Sequence, residues 1–228
     1  MLNTFAEHIW IADGTDVSTA GFVYPTRMVV VRLADGTLWL WSPVRMTEDL
    51  RAAVDTLGQV AHLVAPNNLH HMFMAEWAAA YPAATVYAAE GVAKKQPDLR
   101  IDVTLGNSPV QVWGDDIEQV VIEGNAITQE AVFFHRPSAT AIFTDFIQQF
   151  DAEDFSGWRK WGARFDLMIG DEPHVPRKFR LMTRDKAKAR HAVAKILDWP
   201  TERVICAHGA PFQTGGAALL RRAFDWLV

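Results

Sequence analysis

The stretch that decides the fold is His62–His71, which reads HLVAPNNLHH. Its first half is apolar, as in a buried strand, and it continues the apolar run Gln59–Val64. A proline and two asparagines follow, and these residue types favour turns, so the strand is predicted to end there. From Leu69 to Ala80 the apolar residues recur at helical spacing. A strand that runs directly into a polar turn is where α/β folds gather functional side chains.

Strands and helices alternate outward from this stretch. Met28–Leu33 and Thr37–Trp41 are apolar runs joined by Ala-Asp-Gly, and Asp-Gly between such runs predicts a β-hairpin. Thr47–Leu57 is predicted as a helix that Thr47 caps. Further strands are predicted at Ala84–Ala88, Val110–Trp113, Ile117–Ile122, Ala131–His135, Ala139–Thr144 and Val204–Ala207, and further helices at Thr183–Leu197 and Thr214–Leu227. Because no linker divides the chain, we expect one α/β domain over residues 1–228, with two packed sheets and helices outside.

Polar side chains that can bind a metal ion follow four of the apolar runs. The segments are Asn67-Asn68-Leu69-His70-His71, Glu123-Gly124-Asn125, Thr144-Asp145 and His208-Gly209-Ala210-Pro211. A sheet fixes the position of each strand end, and the following loop supplies the chemistry. We therefore expect these four segments to meet at one edge of the fold.

This arrangement resembles the metallo-β-lactamase superfamily over essentially the whole chain. HLVAPNNLHH is similar to the place of that family's first motif, His-x-His-x-Asp-His. AVFFHRPSATAIFTD (131–145) resembles the strand pair that ends in a metal-bridging aspartate, and VICAHGAP (204–211) resembles the last strand with its terminal histidine. The chain looks most like a branch whose first metal motif is degenerate and reads Asn-x-x-His-His. The resemblance implies a four-layer αβ/βα sandwich of two mixed β-sheets flanked by helices.

The resemblance also implies that the first of the family's two metal sites is lost. Aligning the last histidine of the first motif on His71 puts Asn68 and Pro66 at the positions of the first two histidines. The third-motif histidine falls on Asn125. Proline has no side-chain ligand atom, and a neutral amide is a poor substitute for imidazole on a transition metal.

The second metal site, by contrast, keeps a side chain that can ligate at every position. The resemblance places His70, His71, Asp145 and His208 there, and it gives Asp145 the added catalytic role of orienting the attacking water. We therefore expect one divalent metal, with zinc as the first choice and iron or manganese as alternatives. Four protein ligands are also typical of a closed structural zinc site, so activity would require an open or weakly held position.

Other interpretations of these residues stay open at the level of sequence. His70 and His71 could cap a helix, because consecutive helical residues diverge by about 100° and both can ligate only in a turn before the helix. Asp145 could be an ordinary helix cap. Asn68 and Asn125 could hydrogen-bond across the vacated pocket or simply stabilise their loops.

Three functions fit these residues. The first is a metal-dependent hydrolase in which metal-activated water attacks an ester, thioester, lactone or phosphoester. The second is a catalytically inactive relative that binds a small molecule or a partner, as the loss of ligands at Pro66, Asn68 and Asn125 would suggest. The third is a mononuclear iron oxidoreductase, which ranks last because the iron ligands of such relatives fall on the lost positions.

Composition excludes some partners and suggests others. The net charge of −5 gives no case for nucleic acid or a membrane as a partner, and a single cysteine, Cys206, fits a reducing compartment. With neither a signal-like N-terminus nor a long apolar run, we expect a cytoplasmic protein. Residues 156–190 nevertheless hold ten basic and four acidic residues. This segment is either a solvated helical face or a basic rim that attracts an anionic small-molecule substrate. The sequence leaves the oligomeric state open.

Overall fold

The computed structural model describes residues 1–19, 22–108, 110–170 and 172–228. The strands are β1 Leu2–Ala6, β2 Ile9–Asp13, β3 Val17–Thr19, β4 Phe22–Tyr24, β5 Arg27–Arg32, β6 Leu38–Trp41, β7 Val60–Ala65, β8 Thr85–Ala88, β9 Val103–Thr104, β10 Ile117–Ile122, β11 Glu130–His135, β12 Thr140–Phe143 and β13 Arg203–Cys206. The α-helices are α1 Glu48–Asp55, α2 Met74–Ala80, α3 Val92–Lys95, α4 Trp158–Phe165, α5 Arg177–Met182, α6 Lys186–Leu197 and α7 Gly216–Ala223.

Two mixed sheets form the centre of the described structure. One has the strand order β1-β2-β5-β6-β7-β8-β9, antiparallel from β1 to β6 and parallel from β6 to β9. The other has the order β10-β11-β12-β13, with only the β12–β13 pair parallel. β3 and β4 form a separate antiparallel pair.

Alternating side chains make each sheet apolar on both faces, as expected for sheets covered on both sides. On β6, Trp39 and Trp41 point between the sheets, whereas Leu38 and Leu40 pack under the helices of the outer layer. The Trp39 ring meets the Phe133 ring of the other sheet with 5.0 Å between their centroids. The outer faces are covered by side chains of α1 and α2 on the larger sheet and of α5, α6 and α7 on the smaller one. The four-layer αβ/βα sandwich is thus confirmed.

Local signals in the sequence predicted several element ends. The Asp-Gly hairpin is present between β5 and β6, where Gly36 has a φ of 83° that favours glycine. The Thr47 hydroxyl accepts a hydrogen bond from Leu50 N and caps α1. Asp185 accepts one from Lys188 N at the start of α6. These confirmed ends rest on turn and capping chemistry that acts within a few residues.

Two predicted elements are wrong in type or extent. Residues 110–113, predicted as a strand, contain a 3-10 turn over Gln111–Trp113 that buries the Trp113 ring between the sheets. The predicted helix Leu69–Ala80 begins only at Met74. Its first part is a turn because the Asn67 side chain takes the backbone N–H groups of Leu69 and His70.

Within the described residues, no helix has the length and apolar character needed to cross a bilayer.

Candidate metal centre

Three side chains that can ligate a metal meet where β7, β12 and β13 end. They are His70, Asp145 and His208, and their ligand atoms all lie within 4.8 Å of one another. His70 Nε2 is 3.4 Å from Asp145 Oδ2, and His208 Nε2 is 3.5 Å from Asp145 Oδ1. All three side chains are buried. The expected meeting of strand ends therefore occurs for three of the four predicted metal ligands.

Asn67 joins the end of β7 to the end of β12. Its side-chain Oδ1 accepts hydrogen bonds from the backbone N–H groups of Leu69 and His70 at 2.8 and 2.9 Å. Its Nδ2 donates to Asp145 Oδ2 at 2.7 Å and to Thr144 Oγ1 at 2.8 Å. One fully buried amide thus folds the turn that carries His70 and also orients the carboxylate that His70 faces. In the sequence, the only signal for this role is that an asparagine after a strand can form an Asx turn.

The two histidines are anchored through their Nδ1 atoms. His208 Nδ1 lies 2.7 Å from the carbonyl oxygen of Pro25, which can only accept, so this nitrogen carries the proton. His70 Nδ1 lies 2.8 Å from Ser42 Oγ, and Ser42 holds a left-handed backbone with a φ of 48°. Each Nε2 is therefore directed at Asp145. Metal-binding histidines in proteins are commonly oriented by such a bond to the other ring nitrogen.

The loop after β13 requires a glycine beside His208. Gly209 has a φ of 106°, and a Cβ there would overlap the backbone carbonyl of Gln149. The buried Arg27 guanidinium donates to the carbonyl oxygens of Cys206 and Gly209 at 2.8 and 2.5 Å. His208 thus sits in a turn that is held from both sides, as the His-Gly pair after a strand suggested.

Glu130 is a buried carboxylate that holds the turn containing Asp145. Its Oε1 accepts from Thr144 N at 2.7 Å, and its Oε2 accepts from Asp145 N at 2.8 Å and Phe146 N at 3.0 Å. Burial, and then the negative charge of Asp145, raise the pKa of Glu130 to about 7. Glu130 was not among the predicted site residues, because its only signal in the sequence is a lone acid at the start of an apolar strand.

The electrostatics of the cluster favour the ligand forms of its side chains. Burial lowers the pKa of His70, although Asp145 opposes the shift. Burial would raise the pKa of Asp145, but His70 and a hydrogen bond from His208 hold it well below its usual range. The lowered pKa of Asp145 keeps its side chain a carboxylate at neutral pH, which is the form that binds metal ions.

The ligand atoms of the cluster lie close enough together to surround one metal ion. Bonds of about 2.0–2.2 Å with tetrahedral angles put neighbouring ligand atoms about 3.3–3.6 Å apart. His70 Nε2 and His208 Nε2 lie 3.4 and 3.5 Å from different oxygens of Asp145, each within this interval, and one ligand atom from each residue lies within 4.8 Å of the others. Two imidazole nitrogens and one carboxylate oxygen are also a donor set that zinc accepts in catalytic sites. The residues present therefore fit a divalent metal held by three protein ligands.

The other predicted site residues lie outside this cluster. His71 Nδ1 pairs with Gln96 Nε2 at 3.1 Å, and burial, then Lys95, then His70 lower the His71 pKa. The Asn68 backbone carbonyl accepts from Lys95 Nζ at 2.6 Å. His70 and His71 line the same pocket, but of these two only His70 faces Asp145. Ligation by His71 stays a prediction.

Asn125 stabilises its own turn and joins that turn to α5. Its Oδ1 accepts from Ile127 N at 2.9 Å, and its Nδ2 donates to Phe179 O at 2.7 Å and Thr183 Oγ1 at 3.0 Å. Of the two interpretations left open, these contacts correspond to loop stabilisation.

A pocket of about 420 Å³ opens above the three-residue cluster. His70, Asp145 and His208 contribute to its lining, together with the apolar residues Leu69, Met72, Phe73, Ile127 and Phe179. Two lysines, Lys95 and Lys178, also line it. Lys178 Nζ donates to Tyr24 Oη at 3.1 Å and lies 3.4 Å from Asp166. The pocket thus combines the cluster with an apolar wall and two cationic groups, an arrangement suited to a small molecule.

Comparisons with known proteins give one family and one fold. The family model described as a domain of unknown function (DUF4336) matches residues 6–156, more than half of the chain. No curated protein matches the sequence.

Solved structures with this fold include several metallo-β-lactamases. One from Pontibacter korlensis has a TM-score of 0.67 at 14% identity and covers 100% of this chain and 98% of its own. One from Pseudomonas aeruginosa, solved in a mono-zinc form, has a TM-score of 0.63 at 12% identity, with 99% and 94% covered. One from Hirschia baltica has a TM-score of 0.60 at 12% identity, with 100% and 97% covered. The metallo-β-lactamase-like fold predicted from the sequence is confirmed, and identities this low show the fold alone.

Proposed function

The chain belongs to the DUF4336 family, and we propose that it is a metal-dependent hydrolase with a single-metal site. The observation that carries the proposal is the cluster of His70, Asp145 and His208 in the lining of a pocket of about 420 Å³. Its two imidazole nitrogens and one carboxylate are a donor set that a tetrahedral divalent metal accepts, and one ligand atom from each residue lies within 4.8 Å of the others. These three of the four predicted ligands leave a fourth position that water or substrate can take when His71 stays on Gln96.

A bound divalent metal would supply Lewis acidity, which makes water more acidic and polarises a carbonyl or phosphoryl oxygen. The chain's own residues do the rest. Asp145 is the residue that we assign to orienting the attacking water, because its carboxylate lies between the two histidines. Two residues keep that carboxylate in place. The Asn67 amide donates to the Asp145 carboxylate, and the Glu130 carboxylate accepts from the backbone N–H of Asp145.

The substrate in this proposal is a small ester, thioester, lactone or phosphoester that carries a negative charge. Lys178 and Lys95 line the pocket and would attract an anion, while the apolar wall would hold an uncharged body. Lys178 comes from the basic segment 156–190, which supports the interpretation of that segment as a rim beside the site. We therefore expect Lys178→Gln to raise KM for anionic esters more than for neutral ones.

Zinc is the metal that we propose, with iron and manganese as alternatives. Two imidazoles and a carboxylate suit zinc, and the related fold from Pseudomonas aeruginosa was solved in a mono-zinc form. The proposal places the hydrolase in the cytoplasm.

The runner-up function is a catalytically inactive relative that binds a small molecule. It is favoured by the crowding of Asp145, whose oxygens already face Asn67 Nδ2 at 2.7 Å and Gln148 Nε2 at 3.4 Å. A carboxylate satisfied by amides has less capacity left for a metal ion. This candidate predicts ligand binding in the same pocket without metal and without turnover.

The test is turnover of a panel of esters, thioesters, lactones and phosphoesters by the purified chain. The proposal predicts activity that a chelator abolishes, that added zinc restores, and that Asp145→Ala eliminates. His191→Ala is the matched control, because this histidine is exposed on α6 away from the cluster. Unchanged activity in the Asp145→Ala variant would contradict the hydrolase proposal.

A further inference from the structure

Large apolar side chains are exposed together on α4 and α5. Trp158, Trp161 and Phe165 are exposed by 66%, 76% and 71%, and Leu181 by 81%. Among the described residues, the other exposed large apolar side chains are spread over the chain at Met1, Val23, Met72, Val112 and Val228. Scattered apolar residues on a surface need no explanation, whereas a contiguous group marks an interaction site.

The three aromatic residues of α4 form one stripe. Positions 158, 161 and 165 follow the i, i+3, i+7 spacing that puts side chains on the same face of a helix. Ala163, on another face of α4, is buried against the protein. The stripe therefore lies on the outward face of α4, which we call the aromatic face.

α5 continues this face. The Arg177 guanidinium lies 4.8 Å above the centre of the Phe165 ring, which joins α5 to α4. Leu181 follows Arg177 by four residues and so shares its side of α5. The aromatic face thus comprises Trp158, Trp161, Phe165 and Leu181, with Arg177 among them.

Basic residues accompany the aromatic face along α4. Arg159 and Lys160 stand between Trp158 and Trp161 in the sequence, and Arg164 precedes Phe165. The nearby acids of residues 156–190 that the structure describes are engaged elsewhere: Asp166 with Lys178, Glu172 with Arg222, and Asp185 with the first turn of α6. Before α4, Asp151, Glu153 and Asp154 belong to a separate turn. α4 and α5 themselves carry six basic residues and no acidic one, on a chain whose net charge is −5.

Exposed tryptophan and phenylalanine with flanking arginine and lysine are the composition of helices that lie in the interface of a bilayer. Tryptophan favours that interface because its ring is apolar and its N–H stays hydrated. Self-association through the same face is less favourable, because a two-fold dimer would set each cationic flank against its copy. We infer that the aromatic face is a peripheral docking surface for a bilayer that contains anionic lipids. This departs from the expectation drawn from net charge, because docking depends on the local charge.

The experiment is co-sedimentation of the full chain with vesicles of phosphatidylcholine, with and without phosphatidylglycerol. The expected result is binding to the mixed vesicles that weakens as salt is added, with little binding to phosphatidylcholine alone. The double variant Trp161→Ala, Phe165→Ala should lower the partition coefficient about tenfold or more, and Arg164→Gln about fivefold. Trp161→Phe should retain most of the binding.

Val112→Ala is the matched control, because it trims an exposed apolar side chain away from the aromatic face and should bind as the wild type does. Circular dichroism establishes that each variant is folded. Equal binding by the double variant and the wild type, or no binding to mixed vesicles at low salt, would overturn the inference. So would a wild-type dimer in sedimentation velocity that the double variant converts to monomers. The assay needs neither metal nor turnover, so its failure leaves the hydrolase proposal standing.

Discussion

Asn67 and Asn125 occupy equivalent turns and do different work. Each follows a strand, and each Oδ1 accepts from backbone N–H groups two and three residues later. The Nδ2 of Asn67 then reaches Asp145 in the cluster, whereas that of Asn125 reaches Phe179 and Thr183 beside α5. The local motif folds the turn in both cases, and the residue across from it decides whether the amide serves a site or a loop.

Substituting the two asparagines should have its largest effect on metal affinity. Asn67→Ala removes the amide that orients both Asp145 and the turn of His70, so we expect zinc affinity to fall about 10–100-fold. Asn125→Ala is the control and should leave zinc affinity unchanged. Competition titration against a chromophoric chelator measures both. Equal losses in the two variants would mean that the amides act through general stability.

Asn125→Ala should instead act on the stability of the fold. Removing its amide leaves the buried Phe179 carbonyl and two loop N–H groups with fewer partners. We expect the free energy of unfolding to fall by about 1–3 kcal/mol. Urea unfolding of metal-free protein measures this change. A variant as stable as the wild type would show that water replaces the amide without cost.

A smaller effect is expected at the Nδ1 anchors of the two histidines. The anchor of His70 is the Ser42 hydroxyl, whereas that of His208 is the Pro25 backbone carbonyl, so only the first can be removed by substitution. Ser42→Ala should weaken zinc binding about 2–10-fold, the equivalent of one hydrogen bond. Ser42→Thr is the matched variant that keeps a hydroxyl, and it should bind zinc more tightly than Ser42→Ala. Equal zinc affinities in Ser42→Ala and Ser42→Thr would mean that the hydroxyl does not orient His70.

The two ends of β11 offer a comparison in pH dependence. Burial lowers the pKa of His135 from 6.5 to about 4, so the stability that it contributes is present above pH 6.5 and is lost as pH falls through about 4. Glu130 has the opposite shift, from 4.5 to about 7, so its contribution is present below pH 4.5 and is lost as pH rises through 7.

In His135→Gln, the free energy of unfolding should therefore fall less between pH 6.5 and 4 than it does in the wild type. Above pH 6.5 its dependence on pH should be unchanged. Urea unfolding across this pH range is the measurement. If the variant loses as much stability as the wild type between pH 6.5 and 4, protonation of His135 is not the cause of that loss.

Much of the fold could be predicted because it rests on local signals and on order along the chain. Asp-Gly at the β5–β6 hairpin and the cap at Thr47 act within a few residues. His70, Asp145 and His208, which the sequence places after apolar strands, lie with their ligand atoms within 4.8 Å of one another. The metallo-β-lactamase-like sandwich followed from the resemblance rather than from periodicity.

What could not be predicted depends on contacts across the fold. Asn67 and Glu130 acquire their roles from Asp145, a residue 78 positions from Asn67 and 15 from Glu130. Residues 110–113 have the composition of a strand, yet the Trp113 ring fills the space between the sheets from a 3-10 turn. Tertiary packing of this kind overrides local propensity.

The most direct test of the central claim is the metal content of the chain purified without a metal-affinity tag, beside His70→Ala and His208→Ala. The account predicts about one divalent ion per chain in the wild type, lost in both variants and retained in His191→Ala. No metal after reconstitution with zinc would contradict the account and favour a binding protein. About two ions per chain would also contradict it, because a second site would then need ligands outside His70, Asp145 and His208.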